Sequence, residues 1–497
     1  MGIVKQQAFQ NSVFNYLGQA IGYVNIALLF PILLTPDEFG LTRLMASASL
    51  LFAQLSSFGS QRVIIKFFPS FKGPKGSDNG FLTLVSLLVL IAFGVTLVLF
   101  YLLEDWIIET QGDPLFTRYV FIIPWLGFLN IIYWVLESYL RAQYKTSLTS
   151  FVNNVLLKIL WLSSAIAYYY GFLDLDAFVV VYSTAYLPAI LILVIYLVRQ
   201  GQLKFRINAL YYRWRMLKHI VRYGAYSILD DTNTVMMNNI DKLMIGFMMD
   251  LKSVAIYTVA SYLSTAISIP SASMNRIVVP LLATHWKRKE WGKVEQLYKQ
   301  STSINLVVAG SLFVLVWSNI NELLTFLDEE YISGVTIILF LMLTRVVDLA
   351  FGLNGDIILV SKNYWFNTLS GLILVILMVI FNWIFIPLYG FVGAAFGTLL
   401  SKIVFNVIKY LFLKLNDGLD PFTIQNFKGF IILTIAFWAG EMIKLDNLGV
   451  ILSIAVKSLI IGSFMALMFY YFNISEDINV VVDKQVKKIR KLILNRG

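Results

Sequence analysis

The chain has 497 residues, of which 58% are hydrophobic and only 14% charged, with a mean hydropathy of +0.75, and this composition excludes an ordinary soluble domain. The formal net charge of +10 does not require a nucleic-acid partner, because basic loops facing an anionic membrane surface account for it. The chain has no cysteine, which excludes a disulfide, a thiolate metal site and a cysteine nucleophile.

Apolar stretches of about 20 residues, the length that a helix needs to cross the hydrocarbon core, recur along the whole chain. The predicted spans 1 to 14 are 12–34, 40–60, 81–103, 119–140, 148–170, 177–198, 223–249, 254–280, 301–325, 335–360, 368–386, 392–413, 429–443 and 448–472. The first is too long for a signal-peptide core, and no small-residue cleavage pattern follows it. The fold class predicted is therefore an all-α polytopic membrane protein with about 14 transmembrane helices.

Lys and Arg fall almost entirely in every second loop between these spans. The opposite loops contain Lys252 and Lys444, and Arg43 and Arg118 lie in the adjoining helix turns. This positive-inside bias predicts that both termini are cytoplasmic. It also supports the weakly apolar span 7, because without that span every later basic loop would move to the outer face.

Short matches between the two halves of the chain recur in order at a nearly constant offset. Residues 60–65 match 274–279, and 170–172 match 389–391. Matches at corresponding places predict two parallel six-helix lobes related by a pseudo-two-fold axis along the membrane normal. The predicted domains are an N-lobe of spans 1–6 (1–198), a cytoplasmic amphipathic linker (199–222), a C-lobe of spans 7–12 (223–413), an accessory hairpin of spans 13–14 (414–472) and a basic amphipathic cytoplasmic tail (473–497).

Cations within or next to the spans are the first group of candidate site residues. A charge at mid-bilayer costs about 2.5–3.5 kcal/mol on insertion scales, so each should face a cavity or a partner. The predicted substrate-binding residues of a cationic cavity are Arg62, Lys158, Arg276, Arg345, Lys402 and Lys457. Arg62 and Arg276 fit equally well as cytoplasmic anchors, and Arg345 has the i,i+3 spacing to pair with Asp348. Lys409, near a helix end, is interpreted as snorkelling.

Acidic residues form the second group of candidates. On span 7, Asp230 and Asp241 share a polar stripe, and on span 10 Asp348 and Asp356 do the same. The predicted ion-coupling residues are Asp230, Asp231, Asp241, Asp348 and Asp356, with H+ or Na+ as the candidate coupling ion. An alternative is that Asp230 and Asp231 are merely hydrated in the middle of a broken helix.

Few signals of other chemistry occur in the sequence. It contains no nucleotide-binding Gly-Lys-Ser/Thr loop, and its histidines, His219 and His285, both lie in basic loops. We expect no catalytic residue, no metal site and no cofactor, and therefore no enzyme. A cavity with fixed cations suits an anionic head group such as a lipid-linked phosphate or diphosphate sugar.

Several motifs resemble those of a known transporter family. They are 33–40 (LLTPDEFG), 139–146 (YLRAQYKT), 240–242 (IDK) and 389–395 (YGFVGAA). On these, the chain resembles the polysaccharide transporter branch of the multidrug, oligosaccharidyl-lipid and polysaccharide exporter superfamily, the O-antigen and capsule repeat-unit flippases. Glu38 and Asp241 carry over as fold markers only.

The resemblance implies a function, a location and partners. It implies alternating-access translocation of an undecaprenyl-diphosphate-linked oligosaccharide, a lipopolysaccharide O-antigen, capsule or exopolysaccharide repeat unit, from the cytoplasmic to the periplasmic leaflet of the bacterial inner membrane. The implied partners are this lipid-linked oligosaccharide, membrane lipids and a polysaccharide polymerase or other assembly proteins, with no nucleic acid.

Two alternatives stay open at this point. An ion-coupled drug or metabolite antiporter of the multidrug extrusion type would favour organic cations, which the cations within the spans oppose. A polytopic glycan polymerase, ligase or glycosyltransferase should carry acidic or histidine catalytic groups on a large outer loop, and the predicted outer loops are short.

Overall fold

The computed structural model describes residues 2–73, 79–202, 214–326, 329–443, 445, 449–475, 479, 480 and 483. All regular secondary structure in these residues is helical. Residues 203–213 of the predicted linker and 484–497 of the predicted tail, where the sequence indicates amphipathic helices, lie outside the described residues.

Helices occur at the position of every predicted span. Their bounds are Gly2–Val24 and Phe30–Leu33 (span 1), Pro36–Ser56 and Ser60–Phe71 (span 2), Phe81–Gln111 (span 3), Ile122–Ala142 (span 4), Thr146–Phe151 and Leu157–Tyr169 (span 5), Leu175–Ser183 and Tyr186–Arg199 (span 6), Trp214–Met248 (span 7), Leu251–Thr265 and Ile269–Lys287 (span 8), Trp291–Ser318 (span 9), Val335–Ala350 and Asn354–Val360 (span 10), Trp365–Asp417 (spans 11 and 12), Ile424–Met442 (span 13) and Val450–Tyr471 (span 14). Nine helices of the described residues are long and apolar enough to cross a membrane, and the two helices of span 10, bent by 46°, together make a tenth. The prediction of an all-α polytopic membrane protein is confirmed.

The helix Trp365–Asp417 is in fact a hairpin of two spans. Its 53 residues would extend for about 80 Å if it were straight. Instead, Gly390 has φ 61° and ψ −145°, a conformation open essentially only to glycine, and the chain reverses there. The rings of Phe385 and Phe396 are 5.1 Å apart, against about 16 Å of rise along a straight helix. Spans 11 and 12 are therefore antiparallel neighbours.

The described chain divides into two compact units, Met1–Val259 and Ala260–Gly497. Phe39, Leu44, Phe81 and Tyr139 are among the buried side chains of the first unit. In the second unit, buried residues of spans 8, 9, 10 and 12, such as Tyr298, pack into one apolar cluster. The sequence-predicted division into lobes at 199–222 stays a prediction.

Span 2 begins with a local signal that is readable in the sequence. The Thr35 hydroxyl accepts a hydrogen bond from the Glu38 N–H (3.4 Å), and the Glu38 carboxylate accepts one from the Thr35 N–H (2.9 Å). This reciprocal capping box, with Pro36 in the first turn, satisfies backbone donors that the helix leaves free. Glu38, carried over as a fold marker, thus fixes the start of span 2.

Span 7 packs antiparallel along span 2 within the first unit. The successive contacts are Leu44 with Gly246, Ser47 with Asn239, and Gly59 with Ser227, and Gly40 contacts Leu251 at the start of span 8. A Cβ added at Gly40 would lie 1.8 Å from the Leu251 carbonyl oxygen, so glycine is required for this approach. Span 7 is one continuous helix, Trp214–Met248, and the interpretation of a broken helix at Asp230 and Asp231 is wrong.

Candidate functional site

Arg62 lies between two carboxylates of span 7. Its Nη2 atom is 2.6 Å from Asp230 Oδ2 and 2.7 Å from Asp231 Oδ1. The Arg62 side chain is 40% exposed, and those of the two aspartates are 22% and 20% exposed. A predicted substrate-binding residue and two predicted ion-coupling residues therefore form one cluster, which we call the Arg62 triad. The triad has a net charge of −1 when all three groups are ionised.

A break in span 2 places Arg62 against span 7. Gly59 has φ 59°, a left-handed conformation, and separates Pro36–Ser56 from Ser60–Phe71. A Cβ at Gly59 would lie 2.6 Å from the Ser227 Cβ and 2.8 Å from the Gly224 carbonyl oxygen. Arg62 is in the first turn after this close approach, so its guanidinium reaches the next turn of span 7, where Asp230 and Asp231 lie.

A second charged cluster lies in the other unit, among spans 10, 11 and 12. Lys402 Nζ is 3.2 Å from Asp348 Oδ2, and the Asn406 amide donates to Asp348 Oδ1 at 2.9 Å. Asn354 in turn donates to Asn406 at 2.9 Å. Lys402 and Asp348 are 14% and 33% exposed, so this is a largely desolvated pair whose members depend on each other.

The expected local pair between Arg345 and Asp348 is not present. The Asp348 carboxylate is directed to Lys402 and Asn406 on span 12, which use both of its oxygens. Arg345 makes no ion pair or hydrogen bond in the part of the chain that the structure describes. Its predicted role in substrate binding stays a prediction.

Lys409 does not snorkel, and that interpretation is wrong. The residue is only 6% exposed, and its ammonium donates to Asn367 Oδ1 at 3.0 Å. A Cβ at Gly355 would lie 3.1 Å from Lys409 Nζ, so the glycine leaves room for the ammonium. The Phe405 ring lies 4.2 Å from the same nitrogen. Asp356, in the turn of span 10 that carries Gly355, is half-buried.

Lys457 of span 14 forms a buried pair with Glu322 of the short helix Ile320–Leu324, which follows the helix Trp291–Ser318 of span 9. Ser453 donates to the same carboxylate oxygen at 3.2 Å, and Trp317 of span 9 donates to Glu441 of span 13 at 2.5 Å. These bonds attach the accessory hairpin to span 9. Lys457 therefore has an acidic partner, whereas the sequence favoured a free cation for substrate.

The loop that leads into the accessory hairpin is held by a further ion pair. Lys414 Nζ lies 2.9 Å from Asp420 Oδ2, and the Phe422 N–H donates to the same carboxylate at 3.1 Å. Partial burial opposes ionisation of Asp420, but these hydrogen bonds outweigh it and hold the pKa of Asp420 below its usual value. The hairpin is thus fixed at both of its ends.

Lys158 is at the contact of spans 1 and 5. Its ammonium donates to the carbonyl oxygen of Gly18, and a Cβ at Gly22 would lie 2.7 Å from Lys158 Nζ. Asn25 donates to the Lys158 carbonyl at 3.0 Å. The small residues of span 1 make room for the lysine, and no carboxylate of the described residues is paired with it.

The remaining candidates are apart from these clusters. Arg276 is exposed on the second helix of span 8. Asp241 of span 7 accepts a hydrogen bond from the Tyr257 hydroxyl at 2.5 Å. Sequence reasoning missed Glu137 of span 4, which lies 3.6 Å from Arg141, and it missed Glu322. Both are close to predicted loops, where an acidic residue gives no signal of burial.

Removal of the Lys402 charge should expose its role as the partner of Asp348. Lys402→Gln leaves Asp348 with Asn406 as its remaining partner, and we expect a loss of about 2 kcal/mol, below the range for fully buried pairs because Asp348 is partly exposed. The double variant Lys402→Gln/Asp348→Asn should recover most of the loss. Thermal unfolding in detergent measures this, with Lys299→Gln, an exposed i,i+4 pair partner, as control. A double variant as unstable as the single would contradict the pairing.

Two solved structures place this fold in a class. At 14% identity, the chain is similar to "Lipid II flippase MurJ, inward closed conformation", with 92% of this chain and 98% of that one covered and a TM-score of 0.69. At 15% identity, it is similar to an inward-facing multidrug resistance MATE family transporter of the MOP superfamily, with 82% and 94% covered and a TM-score of 0.62. No curated relative matches the sequence. The chain shares the fold of these two proteins.

A family model matches the sequence itself. The family model described as "Polysaccharide biosynthesis protein" matches residues 4–286, more than half of the chain. The chain belongs to the polysaccharide biosynthesis protein family. The resemblance drawn from its motifs is thereby confirmed.

Proposed function

We propose that this protein is an alternating-access flippase for an undecaprenyl-diphosphate-linked oligosaccharide, moving it from the cytoplasmic to the periplasmic leaflet of the bacterial inner membrane. The observation that carries the proposal is the Arg62 triad, in which a partly exposed guanidinium is held by two carboxylates at the end of span 2 predicted to be cytoplasmic. Membership of the polysaccharide biosynthesis family supports the choice of cargo.

The triad suits an exchange of anions. A diphosphate can offer Arg62 two charged acceptor oxygens in place of the two that Asp230 and Asp231 present to its Nη2 atom. Because one anion replaces another, the guanidinium is never left unpaired in the membrane. An isolated phosphate entering a low-dielectric medium without such a partner would pay tens of kcal/mol. Arg62 is 40% exposed, so an incoming head group can reach it.

The exchange also suggests how an ion gradient couples to transport. Once the phosphate groups of the cargo bind Arg62, the neighbouring carboxylates of Asp230 and Asp231 lose the cation that they share. The two carboxylates then repel each other. Uptake of H+ or Na+ by this pair relieves the repulsion. Cargo binding and ion binding then favour each other, and the contact of span 2 with span 7 loosens because the ion pair that joins them has gone.

A leaflet assay tests the proposed function directly. Purified protein in liposomes that contain a labelled undecaprenyl-diphosphate-linked oligosaccharide should expose the glycan to an external glycosidase faster than protein-free liposomes do. A neutral polyprenyl glycan without phosphate is the matched control cargo, and we expect it to stay in its leaflet. Equal rates with and without protein would reject the proposal.

A multidrug-type antiporter is the second candidate, supported by the similarity of fold to the MATE transporter. Such a protein should extrude organic cations such as ethidium in exchange for H+ or Na+. The same liposomes, loaded with ethidium and given an imposed gradient, separate the two functions. We expect no extrusion, because Lys402 already neutralises Asp348, one of the acids that would bind the cation.

A further inference from the structure

Two cations lie together at the other end of the contact between spans 2 and 7. Arg43 is on span 2 and Lys242 on span 7, each about 10 Å from the outer end of its helix at 1.5 Å per residue. Both are half-buried. Sequence reasoning treated Arg43 as part of a helix turn and Lys242 as part of a fold motif, so neither was a candidate.

The register of spans 2 and 7 places Arg43 and Lys242 at similar depths along the two helices. Leu44 packs against Gly246, and Ser47 donates to Asn239 at 3.3 Å, so the positions between these contacts face each other. Arg43 is four residues before Ser47, and Lys242 is three residues after Asn239, spacings that place each on the contact face of its helix. Counted from the Ser47 and the Leu44 contact, their Cα atoms differ in depth by about 1.5 Å and about 7.5 Å, with a mean of about 4.5 Å.

Arg43 is held in place without a carboxylate partner. Its guanidinium donates to the Tyr182 hydroxyl and to Thr42 (3.2 Å), and its Cζ lies 5.4 Å from the ring centroids of Phe30 and Phe39. Aromatic faces and hydroxyls orient the guanidinium but do not cancel its charge. Among the described residues, it forms no ion pair.

The Lys242 side chain has fewer polar contacts than that of Arg43. Its ammonium makes no hydrogen bond or ion pair within the described ranges, and the charges that act on it are those of Arg43 and Asp241. The neighbouring Asp241 carboxylate is bonded to the Tyr257 hydroxyl at 2.5 Å. An ammonium ion and a guanidinium ion that act on each other electrostatically, inside membrane spans, form an arrangement that an anion would stabilise.

We infer that Arg43 and Lys242 form a second anion-binding subsite, which receives the phosphate groups of the cargo at the end of spans 2 and 7 predicted to face the periplasm. The inference rests on the proposed function for the identity of the anion. A planar guanidinium and a mobile ammonium together supply donors to two phosphate groups at once. The phosphodiester of an anionic membrane lipid has the same chemistry and is the competing source.

The charges of the two subsites differ in a way that gives the transfer a direction. With all groups ionised, the Arg62 triad has a net charge of −1, whereas Arg43, Lys242 and Asp241 together have +1. A diphosphate therefore has to displace carboxylates at Arg62, but it meets an uncompensated positive field at Arg43 and Lys242. Movement along spans 2 and 7 is electrostatically downhill.

The absence of cysteine from the chain allows a direct test. In Lys242→Cys, an anionic methanethiosulfonate reagent should react faster than a cationic one, relative to the exposed control Thr117→Cys, by about fivefold because Arg43 attracts the anion. Adding Arg43→Gln should bring this ratio close to that of the control. A ratio that does not respond to Arg43→Gln would overturn the subsite.

Protection identifies the ligand. In nanodiscs of neutral lipid, farnesyl diphosphate should slow modification of Lys242→Cys at least about tenfold, as a bidentate charged contact of over 1.4 kcal/mol would. Farnesol should give no protection, and its protection would overturn the inference. Nanodiscs that contain phosphatidylglycerol form the second arm. Protection by this lipid and not by farnesyl diphosphate would assign the subsite to the bilayer and overturn its assignment to cargo.

A measurement on proteins without the introduced cysteine excludes misfolding of Lys242→Cys as the explanation. Farnesyl diphosphate should raise the melting temperature of the unmodified chain and of Arg118→Gln, an exposed arginine paired with Asp176 outside the subsite. It should raise that of the double variant Arg43→Gln/Lys242→Gln by much less, because both cations of the subsite are then absent. Equal shifts in all three would overturn the subsite. Because none of these readouts measures transport, a failed leaflet assay with successful protection would reject the proposed function alone.

Discussion

Arg62→Gln should reduce flipping of the lipid-linked oligosaccharide by about 30- to 140-fold. The substitution removes two charge-assisted hydrogen bonds, and after discounting for the 40% exposure of Arg62 we assign them about 2–3 kcal/mol together. At 1.4 kcal/mol per factor of ten, this loss gives the stated range. Arg62→Lys should retain part of the activity, because an ammonium ion attracts phosphate but lacks the planar fork. The leaflet assay in liposomes measures both variants.

Two companion variants separate binding from general charge effects. Arg222→Gln removes an exposed cation from span 7 near the same membrane end and should leave the rate within about twofold, the range of surface substitutions. Asp230→Asn/Asp231→Asn leaves Arg62 free for cargo but removes the carboxylates that would take up an ion, so its flipping should no longer respond to an imposed gradient. Full gradient dependence in this variant, or full activity in Arg62→Gln, would contradict the mechanism.

The helical architecture was predictable because it depends on signals that act locally or through composition. Apolar length predicts where the helices lie, and Thr35 with Glu38 forms a capping box visible in four residues. The reversal at Gly390 also lies between two predicted spans, although the 53 residues around it are assigned to a single helix, Trp365–Asp417. Cysteine-free composition and short loops narrowed the class of protein in the same way.

The pairing of charges was not predictable, because it depends on the register of helices that are distant in sequence. Lys402 finds Asp348 on another span, and Arg62 finds two aspartates on span 7 through the close approach at Gly59. Lys409 looked like a snorkelling residue from its place near a helix end, yet Asn367 keeps it buried. Sequence position gives depth along a helix but not which neighbour faces it.

Pairing with nearby protein oxygens explains why the cations predicted to bind substrate do not form a single cluster. Arg62, Lys158, Lys402 and Lys457, which were predicted to bind substrate, each have a protein oxygen as partner. A buried cation therefore needs a partner in the protein that neutralises its charge. Only a cation whose carboxylate partner can be exchanged, or that has no carboxylate partner, is available to bind cargo. Arg62 meets the first condition and Lys242 the second.

Lys457→Met should lower the free energy of unfolding by about 3 kcal/mol, the cost of leaving one member of a buried ion pair without its partner. The side chains of Lys457 and Glu322 are 9% and 17% exposed, and the Oε2 atom of Glu322 already lacks a hydrogen-bond partner. Without Lys457, the Glu322 carboxylate would therefore gain little hydration in exchange. Thermal unfolding in detergent measures the loss. Lys428→Met, an exposed lysine on span 13 of the same hairpin, is the matched control and should shift the midpoint little.

The double variant Lys457→Met/Glu322→Leu decides whether Lys457 serves the hairpin or the cargo. Replacing both charges with apolar groups of similar volume should restore most of the stability, since neither charge then stays buried alone. If Lys457 only anchors span 14 to the short helix Ile320–Leu324, the restored protein should also flip glycan at close to the native rate. A double variant that is stable yet inactive would instead return Lys457 to the substrate-binding set, because only contact with the cargo then accounts for the loss.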